Sequence, residues 1–208
     1  MAYDLEEQEQ LEELKAWWKR YGNMVQWALL VALTIAAGFE GWKYYQYRQN
    51  SQASMLYESL QRLSVADTKS VRAVSSQIMD KYGDTSYAPR AALLAAQTNY
   101  VAKDKKSAVA QLEWVMGHGS DEALQTIAML QLAGLKYEDK QYDAALKLLT
   151  TKHDPAFDGL VADLQGDILV AQGKTAEAKK AYQDALSKLD EKNSFRKYTE
   201  QKLDGLGS

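Results

Sequence analysis

The chain has 208 residues, 46% of them hydrophobic and 25% charged, which is room for one folded domain and a small appendage and is not the composition of a disordered chain. It has no cysteine, which excludes disulfides, thiolate metal sites, a cysteine nucleophile and lipoprotein-type lipid attachment. The net charge of −3 is unevenly placed, six acids against three bases in the first 23 residues and 22 of each thereafter, so no basic stripe offers itself to nucleic-acid phosphates.

With two prolines, few alternating runs and an excess of Ala, Leu, Gln, Lys and Glu, the pattern predicts an all-α chain. The opening "MAYDLEEQEQLEEL" reads as a solvated amphipathic helix, with Leu5, Leu11, Leu14 and Trp18 loosely on one face. From Met24 to Phe39 no charge occurs over 16 residues, which as a helix span about 24 Å. That is slightly short of a bilayer core of about 30 Å, and aromatic flanks make up the difference. Trp17, Trp18, Tyr21 and Trp27 stand on one side and Trp42, Tyr44, Tyr45 and Tyr47 on the other, the two belts of a helix that meets both interfaces.

Ala36 and Gly38 have the spacing of a signal-cleavage site, but a signal peptide opens short and basic, whereas this region is long and acidic. The sequence therefore favours a retained anchor over a cleaved signal. Lys15, Lys19 and Arg20 precede the span and Lys43 and Arg48 follow it, which reads as a cytoplasmic amino terminus and an outer carboxyl part. Glu40 reads as a solvated interfacial side chain, with a polar contact to a partner's helix as the alternative. The division expected is 1–23 as a cytoplasmic tail, 24–46 as a transmembrane helix and 47–208 as the folded domain.

Short amphipathic helices follow. Leu56, Leu60 and Leu63 keep helical spacing, as do Val71, Val74, Ile78 and Tyr82; Gly83 is available to end one helix, and Pro89 is tolerated in the first turn of the next. In "VADLQGDILVAQGKTAEAKKAYQDALSKLD", Gly166, Ala178, Tyr182 and Ala185 are spaced like the tetratricopeptide signature. Small residues let two helices of a hairpin cross closely, "QGK" turns between them, and Tyr182 fills space toward the next unit. Ala145, Ala108 and Ala73 mark earlier copies at intervals that bracket 34 residues, and Leu132 fits the leucine of the third. The copies are degenerate: their glycine and tryptophan are missing, Gln165 and Leu169 replace the leucine and tyrosine expected in the last unit, and Asp190 stands where proline would. A solenoid of about three to four helical hairpins is predicted, closed by a capping helix in "NSFRKYTEQKL" with Phe195, Tyr198 and Leu203 as its apolar residues.

Enzyme chemistry finds little support. His118 and His153 fall in inter-helix breaks with no second ligand or carboxylate spaced to meet them, and read as exposed loop residues. "GHGSDEAL" lacks the lysine of a phosphate loop and reads as a turn with a helix cap at Ser120 or Asp121. "DKQYD" and "DEKNS" lack the regular acids and central glycine of a calcium loop. No catalytic, cofactor or metal residue is expected. What remains is a binding surface, with Trp114, Tyr137 and Tyr142 read as core in preference to partner anchors.

The order of parts, an acidic tail, one membrane helix ending in "GWKYYQYR" and the degenerate repeat domain with "VADLQGDILVAQGKTAEAKKAYQDAL", resembles the YfgM family of ancillary subunits of the bacterial Sec translocon over essentially the full length. The resemblance implies a Gram-negative inner-membrane protein with a periplasmic domain, associated with SecYEG and the membrane-anchored periplasmic chaperone PpiD, that helps pass emerging proteins to periplasmic chaperones. Direct binding of unfolded secreted chains is a further expectation. The alternative from another class is an envelope scaffold that organises a cell-wall or division assembly.

Overall fold

A computed structural model describes residues 2–64, 66–119 and 121–207, with side chains from Glu7 onward. All nine helices among the described residues run in simple succession: α1 Ala2–Gln61, α2 Thr68–Tyr82, α3 Tyr87–Val101, α4 Lys105–His118, α5 Glu122–Glu138, α6 Tyr142–Leu149, α7 Asp158–Ala171, α8 Thr175–Lys188 and α9 Ser194–Gly205. A single 3-10 turn, Pro155–Phe157, precedes α7. The chain forms two compact units, Met1–Gln49 and Asn50–Ser208.

The first unit is the larger part of α1, without proline and apolar all round through its middle. Met24, Trp27, Leu33 and Ile35 each expose more than 60% of their surface, so no protein core accounts for this stretch. It is a helix long and apolar enough to cross a membrane. The Thr34 hydroxyl donates to the Leu30 carbonyl at 2.8 Å, which satisfies it without water. Leu11, Leu14 and Trp18 of the amphipathic stretch are exposed, while the Leu5 side chain lies outside the described residues.

The second unit is an antiparallel succession of hairpins. The end of α1 and α2 are the first pair in chain order and meet through a side-chain cluster shared with α3; α3/α4, α5/α6 and α7/α8 are the next three hairpins, and α9 packs on α8. Alanines dominate the contacts: Ala91, Ala92, Ala95 and Ala96 of α3, Ala108 of α4, Ala128 and Ala133 of α5 and Ala145 of α6 are all buried. Small side chains allow helix axes to close to about 8–10 Å. Larger residues then fill the spaces between hairpins. Leu60, Val71 and Ile78 make one cluster with α3, Leu112, Val115 and Leu132 a second, and Met129, Leu149, Val161 and Ile168 a third. Trp114 packs against the first two and Met116 against the last two, so the core is continuous from the end of α1 to α7.

Candidate interaction surface

The repeat is defined most sharply by its turns. Lys103, Lys140 and Gly173 each adopt a left-handed backbone, with φ of 63°, 58° and 76°. In each case the following amide bonds back to the helix it leaves: Asp104 N to Asn99 O, Gln141 N to Lys136 O and Lys174 N to Leu169 O, at 2.8 to 2.9 Å. This is the Schellman termination, so the turn drawn from "QGK" recurs with lysine in place of glycine. Asp104, Gln141 and Lys174 then cap the second helix of their hairpins with nearly equal angles, and Asp67 does the same for α2.

The fourth residue after each cap faces the partner helix. It is Ala108, Ala145 and Ala178 in the later hairpins, each at most 1% exposed. In the first hairpin it is Val71, 2% exposed, and not Ala73, which faces solvent. Two residues amount to about 200° around a helix, so the earliest copy was set on the wrong face; its true spacing to Ala108 is 37 residues. Leu132 and Ala185 are buried as packing residues.

Gly166 and Tyr182 belong to the α7/α8 hairpin. A Cβ on Gly166 would lie 2.4 to 2.9 Å from three ring atoms of Tyr182, so the glycine makes room for the ring on its own hairpin. The Tyr182 hydroxyl donates to Asp167 at 2.7 Å, and Lys202 of α9 donates to Asp163 and Asp167 at 2.7 Å each. Thr199, fully buried, donates to Asp163 at 2.8 Å. Burial and the bond to Asp167 push the Tyr182 phenol far above its usual range. Burial alone would lower the Lys202 ammonium, but its two carboxylate partners hold it above its usual value.

α9 is therefore docked by polar groups. Of the three residues expected to supply its apolar face, Phe195 and Tyr198 are 51% and 62% exposed and Leu203 is half-buried. Arg196 instead donates to the Leu186 and Leu189 carbonyls, closing the end of α8. Asp163 and Asp167 were not singled out in the sequence, although two carboxylates one turn apart in a mostly apolar helix are a legible signal of a polar partner.

A second polar network joins the first two hairpins. Arg72 of α2 bonds to Asn99, and to Asp104 at 2.6 Å; Asn99 also donates to Gln111 at 2.7 Å. Bonds from the Ser107 hydroxyl and amide, aided by Arg72, hold the Asp104 carboxyl below its usual range.

A cavity of about 340 Å³ opens between α3, α4 and α5. Its floor is Ala96, Ala108, Leu112 and Leu135, and Gln97, Gln131 and Gly134 line its sides. At its mouth the Tyr100 hydroxyl donates to Glu138 at 2.7 Å, which raises the Tyr100 phenol, and Lys105 reaches both Glu138 and Asp139. Trp114, Tyr137 and Tyr142 are half-buried against the core, the two tyrosine rings 6.0 Å apart.

His118 is the last residue of α4, exposed and stacked on Trp114 at 4.8 Å. His153 departs from the exposed-loop reading: it is half-buried, with Nε2 3.0 Å from Asp158 Oδ1 and Nδ1 2.8 Å from the Thr151 carbonyl. Asp121 caps α5, accepting from Ala123 and Leu124, whereas Ser120 lies outside the described residues.

In the first unit, Trp17 lies near Trp18 and Tyr21 with ring centroids 6.4 and 5.8 Å apart, and Trp42 near Tyr45 at 6.0 Å, all with tilted rings. Trp27 and Tyr44 are exposed. Glu40 pairs with Lys43 at 3.2 Å on its own helix.

A profile of the tetratricopeptide repeat-like domain family matches residues 15–208. The chain is similar to a protein of Neisseria gonorrhoeae called an ancillary SecYEG translocon subunit, 32% identical, over 99% of this chain and 100% of that one. Proteins of the same description from Haemophilus influenzae and Escherichia coli are 31% and 27% identical, over 89% and 85% of this chain and 91% and 85% of theirs.

Proposed function

Because the chain belongs to the YfgM family of ancillary SecYEG translocon subunits, with a tetratricopeptide repeat-like domain, we propose that it is a non-catalytic, membrane-anchored interaction protein. It associates with the SecYEG translocon and links emerging secreted proteins to periplasmic chaperones, among them PpiD. In this reading residues 1–23 are cytoplasmic, 24–46 span the bacterial inner membrane once, and 47–208 lie in the periplasm.

The observation that carries the reading is the joining of one apolar, unburied helix to an all-helical hairpin array in a chain similar to translocon subunits along nearly its whole length. An anchor raises the effective concentration of the solenoid beside a partner in the same membrane, so that weak contacts suffice. The basic residues Lys15, Lys19 and Arg20 before the span support the orientation.

Photocrosslinking in cells tests this, with the reactive residue placed at Trp42, Tyr45 and Tyr137. Adducts to SecYEG subunits and to a periplasmic chaperone are expected. Adducts confined to cell-wall or division proteins would replace the reading with the envelope scaffold.

A further inference from the structure

Gly134 sits inside α5, where glycine costs about 1 kcal/mol relative to alanine. Gly166 and Gly159 justify themselves by close neighbours, Tyr182 and Leu189. Gly134 does not: a Cβ there would meet nothing within 4 Å, and its backbone is not left-handed. What its missing side chain does is leave open the cavity between α3, α4 and α5.

The repeat says what that cavity fits. When the hairpins are aligned on their left-handed turns, Ala96, Gln97, Ala108 and Leu112 fall where Gly166, Asp167, Ala178 and Tyr182 stand in the last hairpin. There the aromatic ring fills the space between helices and its hydroxyl finds an acceptor. At the α3/α4 hairpin the ring is replaced by a shorter leucine and the space stays empty. Uncharged amides of Gln97 and Gln131 line it, able both to donate and to accept.

We propose that this cavity is a side-chain subsite that takes one aromatic residue with a polar edge, tyrosine or tryptophan, from an extended segment of a partner polypeptide. The ring lies over Ala96 and Leu112, and its polar edge bonds to Gln97 or Gln131. An aromatic anchor in such a pocket supplies large contact area at low side-chain entropy cost. The assignment rests on the reading of the domain as a protein-binding module and names what it reads.

The test uses the full-length chain in detergent micelles and short Gly/Ser peptides carrying a single central Trp, Tyr, Leu or Ala, with binding read from the methyl resonances of Leu112 and Leu135. Saturable shifts are expected for the Trp and Tyr peptides, at least about tenfold weaker for Ala. Gly134→Met fills the cavity and should abolish the shifts while leaving the thermal midpoint equal or higher. The pair Ala96→Gly and Leu112→Tyr, which installs the last hairpin's own ring, should do the same, read at Leu135.

Equal binding of the Ala peptide, or undiminished binding to either folded variant, overturns the proposal. So do shifts that follow protein concentration without peptide, which would assign the cavity to a second copy of the chain. If no peptide binds while the wild-type chain still recovers SecYEG, the subsite falls and the translocon reading stands.

Discussion

The last hairpin, α7 and α8, and the second hairpin, α3 and α4, leave and enter their helices through the same turn, yet fill the space between them with different chemistry. In the last, a glycine faces a tyrosine ring that ends on a carboxylate shared with Lys202. In the second, Ala96 and Leu112 take those places and a cavity remains. Backbone geometry is thus kept by local turn bonds, and each pair of facing side chains is free to be closed or open. Closure secures the array against fraying at α9; openness leaves a place to bind.

Breaking the closed pair should give the largest effect. Gly166→Ala drives a Cβ into the Tyr182 ring, at a cost of about 3 kcal/mol, the upper range of overpacking. Adding Tyr182→Leu recreates the Ala/Leu pair of the second hairpin and should recover more than half of that loss. Urea unfolding of the four chains of this double-mutant cycle measures the coupling; simple additivity would show that the two positions do not share a space.

Next comes the ion cluster. Lys202→Met leaves Asp163 and Asp167 without their cation, and because the lysine is about one-third exposed the cost is about 2 kcal/mol, below the range for a fully buried pair. Hydrogen exchange should show α9 amides opening first. Uniform loss of protection along the solenoid would refute a local role for the cluster.

These two regions also show what a sequence discloses. The Gly–Ala–Tyr–Ala spacing of the last hairpin was readable because glycine and tyrosine are rare enough to mark a register. The first hairpin was not, because its marker position holds Val71 and the neighbouring Ala73 imitates the expected residue on the opposite face. Lys103 and Lys140 hid their turns, since lysine in a left-handed conformation carries no signal of its own. The cavity was invisible for a further reason: Gly134 reads as a weak helix residue until its surroundings show that nothing crowds it. Partners distant in sequence, such as Lys202 with Asp163, need the fold to meet at all.

The turns themselves sharpen the comparison more gently. Lys140→Gly relieves a left-handed lysine and should stabilise by about 1 kcal/mol, while Gly173→Ala should destabilise by about as much. Thermal unfolding checks both signs. If Lys140→Gly destabilises, the greater freedom of glycine in the unfolded chain outweighs the strain.

The smallest effect is one of pH, and it separates the hairpins by their caps. Asp104 starts α4, whereas Lys174 starts α8, so only the former helix start carries a titratable acceptor for its first amides. The Asp104 carboxyl is held below its ordinary 3.8 by Ser107 and Arg72. A carboxyl lowered in the folded state favours folding above its unfolded value and loses that contribution as pH falls through the lowered folded value. Acidification below about pH 4 should therefore open the first-turn amides of α4 before those of α8 in hydrogen exchange. Asp104→Asn keeps a capping oxygen but removes the charge, so it should lower the thermal midpoint slightly at neutral pH and flatten the decline in acid. An unchanged acid slope in that variant would move the acid lability away from the α4 cap.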